Sequence, residues 1–100
     1  MVKLITSVQE IPSQGVVVID FFATWCGPCK KVAPMYEEMS KVYSSVTFLK
    51  VDVDESNEVA EIFDVRAMPT FVFLKDGQRV AEIEGADVNG IGKTLERLIQ

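Results

Sequence analysis

Two cysteines, Cys26 and Cys29, stand three residues apart in the run Trp25-Cys26-Gly27-Pro28-Cys29-Lys30, and the 100-residue chain has no others. It has no histidine either, so the four Cys/His ligands of a structural zinc site cannot be assembled. What two thiols at this spacing can do is exchange with a disulfide. Downstream, Val32, Met35, Tyr36, Met39, Val42 and Tyr43 recur at helical spacing and predict one buried stripe. Lys30, Lys31, Glu37, Glu38 and Lys41 take the opposite side. Residues three apart on such a helix hold their Cβ atoms about 5–6 Å from each other, close enough to be bridged after a small adjustment. Cys29 falls on the stripe with Val32 and Tyr36 and is expected to be sheltered. Cys26 lies a turn earlier, at an expected exposed helix start where unpaired N–H groups and the helix dipole stabilise a thiolate. The pair reads as a low-pKa attacking thiol and a shielded resolving thiol. Pro28 suits a first turn, where its missing N–H would have had no partner. The plain alternative is an inert disulfide or two incidental thiols.

Three further positions bear on that chemistry. Asp20 interrupts the apolar run Val16 to Phe22, six residues before Cys26. A buried carboxylate is costly unless paired, so its pKa should be perturbed. Lys50, on the next strand run, is a candidate counter-charge. Burial raises a carboxyl by roughly 3–5 units, and a cation at about 4 Å lowers it by roughly three; the two effects are comparable and the sign stays open. Trp25 reads as a packing residue or as part of a docking surface beside a reactive thiol. Met68-Pro69-Thr70 opens an apolar strand, an ordinary place for proline, with only about a 5–6% prior for a cis bond.

The elements that must position these residues alternate. A first strand is expected near residues 3–5, then Val16–Phe22 as a strand covered on both faces. The helix bearing Cys29 follows, with Pro34 removing a bond to the Lys30 carbonyl. Residues 46–51 predict a strand, and Val59, Ile62 and Phe63 a short helix over 57–64 capped by Ser56 or Asn57. Phe71–Leu74 is the next strand; Asp76-Gly77 supplies a tight hairpin into a strand near 79–84. Val88, Ile91, Leu95, Leu98 and Ile99 mark a last amphipathic helix, weakened by Gly90 and Gly92. This order implies one α/β domain over residues 1–100, a mixed sheet with helices on both faces. Cys26-Gly27-Pro28-Cys29 then lies at the carboxyl end of a strand, where α/β sheets place their sites.

Composition narrows the function. Apolar residues at 48% and charged residues at 25% are ordinary globular usage and argue against disorder. The net charge of −5 argues against nucleic acid or anionic membrane as main partner. No apolar run reaches the roughly 20 residues of a membrane span. Leu4-Ile5 is too short for a secretion signal, so an intracellular protein is expected. Residues 51–100 carry eleven anions against five cations. Asp52, Asp54, Glu55, Glu58, Glu61 and Asp64 dominate there, read as a solvated helix face or as an acidic partner-selecting surface.

Taken together, Val-Val-Ile-Asp20-Phe-Phe-Ala-Thr before Trp25, then Cys26-Gly27-Pro28-Cys29-Lys30 and Pro34, closely resemble the thioredoxin family. Ala67-Met68-Pro69-Thr70, Lys75-Asp76-Gly77 and Glu84-Gly85-Ala86 match it too, in order and separation, over nearly the whole chain from Val16 onward. The resemblance implies the thioredoxin fold, with a central five-stranded mixed sheet, and a cytosolic, monomeric protein disulfide reductase with no bound cofactor. It makes Cys26 the nucleophile, Cys29 the resolving thiol, Asp20 the buried proton acceptor and Lys50 its modulator. Pro69 would be cis and face the cysteines. Trp25, Gly27, Pro28, Ala67, Met68, Gly85 and Ala86 would line the groove where disulfide-containing proteins dock. Electrons would come from NADPH through a thioredoxin reductase.

One region departs from the family. Only Ser7 to Gly15, interrupted by Pro12, is available for a first helix that is usually longer, so a turn or two fits and a patch of sheet is expected to be thinly covered. Two other functions compete. An oxidant or isomerase on the same fold would need a more strongly stabilised dithiol; Gly-Pro between the cysteines and the lack of a neighbouring histidine favour the reductant. A binding module with dispensable thiols is the other rival.

Overall fold

A computed structural model describes residues 1–100. Its elements are β1 (Val2–Leu4), a 3-10 turn (Val8–Glu10), β2 (Val16–Phe22), α1 (Gly27–Val42), β3 (Thr47–Asp52), α2 (Asn57–Ile62), β4 (Thr70–Lys75), β5 (Gln78–Glu84) and α3 (Val88–Leu98). The five strands form one sheet in the order β1-β3-β2-β4-β5. β1, β3 and β2 run parallel, and β4 and β5 are antiparallel additions. The expected mixed sheet is therefore present. β2 lies at its centre, paired on both sides, which is why its seven residues are almost all buried.

Alternation along the strands divides the core. Val16, Val18, Phe48, Phe71 and Phe73 point to one face and pack under Val32 and Tyr36 of α1 and Ile91 and Leu95 of α3. Val17, Ile19, Phe21, Leu49, Val51, Val72 and Leu74 point to the other, against Val59 and Ala60 of α2. Residues i and i+2 of a strand share a face, so a single-residue slip would exchange the two cores.

The short first helix does not leave its face bare. Val17, Ile19, Leu49, Val72 and Leu74 are each 5% exposed or less, with Ile5 buried beside them and Ile11 packed on the same cluster. The reason is local. A capping box closes the 3-10 turn, the Ser7 hydroxyl accepting from the Gln9 N–H at 3.2 Å and the Glu10 carboxylate from the Thr6 and Ser7 N–H groups. At its far end the segment is tied to the β4–β5 turn, Gly15 N–H donating to Asp76 Oδ1 at 2.8 Å. A loop fastened at both ends lays Ile5 and Ile11 where a helix would have laid its apolar stripe. The turn itself holds Asp76 at φ 51° and Gly77 at φ 83°, the paired positive angles expected of Asp-Gly.

The predicted stripe of α1 is narrower than its periodicity suggests. Cys29, Val32, Tyr36 and Ser40 are the buried positions, Met39 and Tyr43 flank them, and Met35 and Val42 are exposed. The helix meets the sheet along one line, so the outer apolar positions reach past it. In α2, Ala60 rather than Ile62 is buried. Ser56 is its N-cap residue but makes no side-chain capping bond; Asp52 Oδ1 instead accepts from the Asp54 and Glu55 N–H groups of the preceding loop.

Tyr36 does more than fill space. Its ring lies edge-on to Phe48 and tilted against Phe71. Its buried hydroxyl lies 3.0 Å from the Val18 carbonyl and 2.8 Å from the Leu49 carbonyl, joining α1 to both central parallel strands. Phenylalanine at this position keeps the packing and leaves those carbonyls short of a donor. Tyr36→Phe should lower the unfolding free energy by about 1–3 kcal/mol, with an unchanged m-value in urea titration.

Candidate active site

The cysteine pair sits where β2 hands the chain to α1. Cys26 is the N-cap residue of α1, in extended conformation, followed by Gly27 and Pro28 in the first turn. Its sulfur accepts the Cys29 N–H at 3.2 Å, doing for the helix what a serine or aspartate oxygen usually does. The two cysteines are joined as a disulfide, with Cα atoms 5.3 Å apart, inside the range a disulfide accepts. The chemistry requires that proximity, and the helix start supplies it.

The expected difference in exposure is not found. Cys26 is 6% exposed and Cys29 4%. As a cap, the Cys26 side chain folds back over the first turn toward Cys29, while Gly27 and Pro28 take the exposed positions. What distinguishes the sulfurs is bonding and surroundings. Cys26 accepts a helix-start amide; Cys29 also lines an inner pocket that Cys26 does not.

Asp20 lines the same inner pocket. It occupies the middle of β2, with Lys50 of β3 and Phe71 of β4 as its register partners, and is 4% exposed. One of its oxygens, Oδ1, is buried with no hydrogen-bond partner. Burial pushes its pKa up from 3.8 to about 7, against an opposing but smaller pull from the Lys50 charge. The question left open by magnitudes alone is thus decided for burial. The reason is visible in Lys50: it is half-buried, and none of the ion pairs in the structure includes it. Its ammonium stands 5.9 Å from the centre of the Phe22 ring instead. Asp20, Lys50 and Cys29 line one pocket of about 250 Å³, together with Phe22, Ala23 and Thr24; Cys26 is not among its walls.

The remaining predicted residues lie in the loops after β2, before β4 and after β5. Trp25 is 67% exposed, and its indole N–H donates to Asp54 Oδ2 at 2.9 Å. Asp54 and Met68 border the same cleft, and Met68 packs on the cluster that contains both cysteines. The Met68–Pro69 bond is cis. The Pro69 carbonyl accepts the Gly85 N–H at 2.8 Å, fastening the segment after β5 to this loop. Gly85 sits at φ 94°, a conformation that favours glycine. The Thr70 hydroxyl donates to the Ala67 carbonyl and shapes the same turn. Ala86 follows, facing α1 across a second, apolar pocket. Asp54 is the participant that sequence reasoning missed as an individual. It was visible only as one of a run of acids, and nothing local marks which of them meets an indole 29 positions away.

A mixed sheet, a cysteine pair capping the helix that follows its central strand, and a cis-proline loop whose Met68 packs on the cluster holding the pair define a dithiol-disulfide oxidoreductase. The comparisons agree. The thioredoxin family profile matches residues 5–97. Thioredoxin 1 of Plasmodium falciparum is 46% identical, with 97% of each chain covered. Human thioredoxin is 48% identical over 83% of this chain and 79% of its own. Among solved structures, the oxidised form of mitochondrial thioredoxin 3 from Saccharomyces cerevisiae superposes with a TM-score of 0.91 at 42% identity, covering 97% of this chain and 95% of that one. The chain belongs to the thioredoxin family and is a thioredoxin-type dithiol-disulfide oxidoreductase.

The raised Asp20 pKa has a consequence for stability. In the unfolded chain Asp20 ionises near 3.8, in the folded protein near 7. The folded state therefore holds an extra proton between these values, and stability falls as pH rises through that window. Above pH 7 the buried charge costs about 4 kcal/mol. Asp20→Asn should be more stable than the parent at pH 8 by a few kcal/mol, with the gap closing toward pH 4. Denaturant unfolding of the two disulfide forms across this range checks it.

Proposed function

We propose that this chain is a monomeric, cytoplasmic protein disulfide reductase in which the two sulfurs divide the work. Partner disulfides dock against Trp25, Gly27, Pro28, Ala67, Met68, Pro69, Gly85 and Ala86, and the partner's backbone pairs with the main chain near Met68 in strand-addition fashion. The Cys26 thiolate attacks one partner sulfur, a mixed disulfide forms, and the displaced partner thiolate takes a proton. Cys29 then gives its proton to Asp20, directly or through water, and attacks the Cys26 sulfur. The second partner thiolate leaves, so the partner gains two electrons and the pair is left as a disulfide. A thioredoxin reductase drawing on NADPH restores the dithiol, and repeated cycles serve electron transport and cell redox balance.

The observation that carries this division is the shared pocket. Asp20 and Cys29 line it together, and Cys26 does not. A base there shares its pocket with the resolving sulfur. Its pKa near 7 matches a group that must both take and release a proton at neutral pH. Lys50 tempers that value by its charge alone. For the attacking sulfur, support comes from the helix start, where its lone pair already accepts an amide.

The direct experiment follows reduction of a model protein disulfide with NADPH and a thioredoxin reductase supplied. Turnover is expected for the parent and none for Cys26→Ser; Cys29→Ser should accumulate a mixed disulfide visible by mass spectrometry. If Cys29 is the thiol alkylated first at neutral pH, the roles are reversed. Rapid-mixing kinetics of Asp20→Asn should show the resolving step slowed more than the initial attack. Equal slowing of both would remove Asp20 as the resolving base.

A further inference from the structure

On the face of α1 turned toward the start of α3, Lys31, Val32, Met35, Ala86 and Val88 enclose a pocket of about 130 Å³. Four of the five are apolar, and Lys31 stands at its rim as the one charged group. Nothing in the cysteine chemistry uses it. Met35 is 50% exposed, one of the positions where the apolar stripe of α1 runs past the sheet. A half-exposed methionine in a concave apolar setting is adaptable contact surface, able to repack around different side chains.

The pocket is continuous with the docking surface. Ala86 forms both the end of that surface and one wall of the pocket, and the Gly85–Pro69 hydrogen bond holds this segment beside the cis-proline loop. Val32 lies one turn beyond Cys29. Distances along α1 decide what reaches it. Lys31 and Met35 are five and nine residues past Cys26, about 8 and 14 Å of helix rise. An extended partner strand covers that span in about two to four residues. A dry cavity of roughly 150 Å³ accepts a benzene ring, so this one has room for a single branched aliphatic side chain.

We infer that this pocket is a substrate subsite, taking one branched aliphatic side chain, leucine above all, that lies within four residues of the partner cysteine attacked by Cys26. The inference rests on the reading of Cys26 as the attacking sulfur. It adds a source of partner preference that the cysteines cannot supply. Burying that side chain removes apolar surface from water in the docked complex and raises kcat/KM for partners that carry it.

The test uses disulfide peptides in a serine-rich frame, with leucine placed singly at each of the four positions on either side of the attacked cysteine, and an all-serine control. One position should gain about tenfold in kcat/KM over serine. In Met35→Glu, which places a charge at an already half-exposed site, that leucine-to-serine ratio should fall to about one, with unfolding curves confirming that the variant is folded. Absence of any leucine gain in the parent overturns the subsite, as does a gain that persists in Met35→Glu. Failure of the parent to reduce any peptide, control included, sinks the reading of the cysteine pair and the subsite with it, an outcome distinct from reduction without a leucine preference.

Discussion

A carboxyl group held inside the sheet without a full set of partners is the constraint around which this molecule is arranged. Water would solvate Asp20 if the strand could turn it outward, but β2 is bonded along its length to β3 and β4, and a slip of register would bury the wrong face of seven residues. The group is trapped by its strand. Lys50 is its register neighbour and still does not pair with it, because the ammonium lies over the Phe22 ring. The Tyr36 hydroxyl, which binds Val18 and Leu49 carbonyls on the two strands, braces the same region from the helix side. In the proposed cycle, the stability lost to a buried carboxylate at neutral pH is the counterpart of having a proton acceptor in one pocket with Cys29.

The cysteine pair draws on a different economy. Helix starts leave N–H groups unbonded, and a sulfur in the cap position accepts one of them. In the proposed cycle the sulfur that caps the helix is also the one that attacks. Because the cap conformation is extended and the helix begins only at Gly27, the side chain curls over the turn and does not project into solvent. The residue is thus buried although the helix start it caps lies at the surface. In the proposed cycle a partner approaches past Trp25, Gly27 and Pro28, which are exposed where the sulfur is not.

Much of this was legible in the sequence because the signals were local or periodic. The strand at Val16–Phe22, the helix after the cysteines and the Asp-Gly turn each follow from residues within a few positions of one another. The buried Asp20 was legible for the same reason, as a charge inside an apolar run. Its pKa direction was not, since that depends on where the Lys50 side chain goes, a matter of rotamer and not of register. Periodicity also overstated the buried face of α1: Met35 and Val42 satisfy the helical spacing, but only tertiary contact decides how wide a stripe the sheet can cover. The cover over the second face was misjudged by counting helix turns, when Ile5 and Ile11 on a tied loop bury the same strands. The Asp54–Trp25 bond lay beyond reach, because it joins positions related only by the fold.

The two halves of the site meet in the redox balance of the pair. Reducing the disulfide creates sulfurs that ionise near a carboxyl with a pKa of about 7, and a negative charge on any one of the three opposes a negative charge on the others. Whatever destabilises the thiolate form shifts the balance toward the disulfide, which makes the dithiol a better reductant. Asp20 therefore pushes in the same direction as the absence of a histidine cation near the pair. The cap bond to Cys26 pushes the other way, toward the thiolate that attack requires. In the proposed cycle these opposing influences fall on different sulfurs: the amide on Cys26, the carboxyl on Cys29. A pair made uniformly acidic would hold its electrons; a pair made uniformly basic would never attack. Placing one sulfur on the helix cap and the other over the central strand lets a single short turn avoid both.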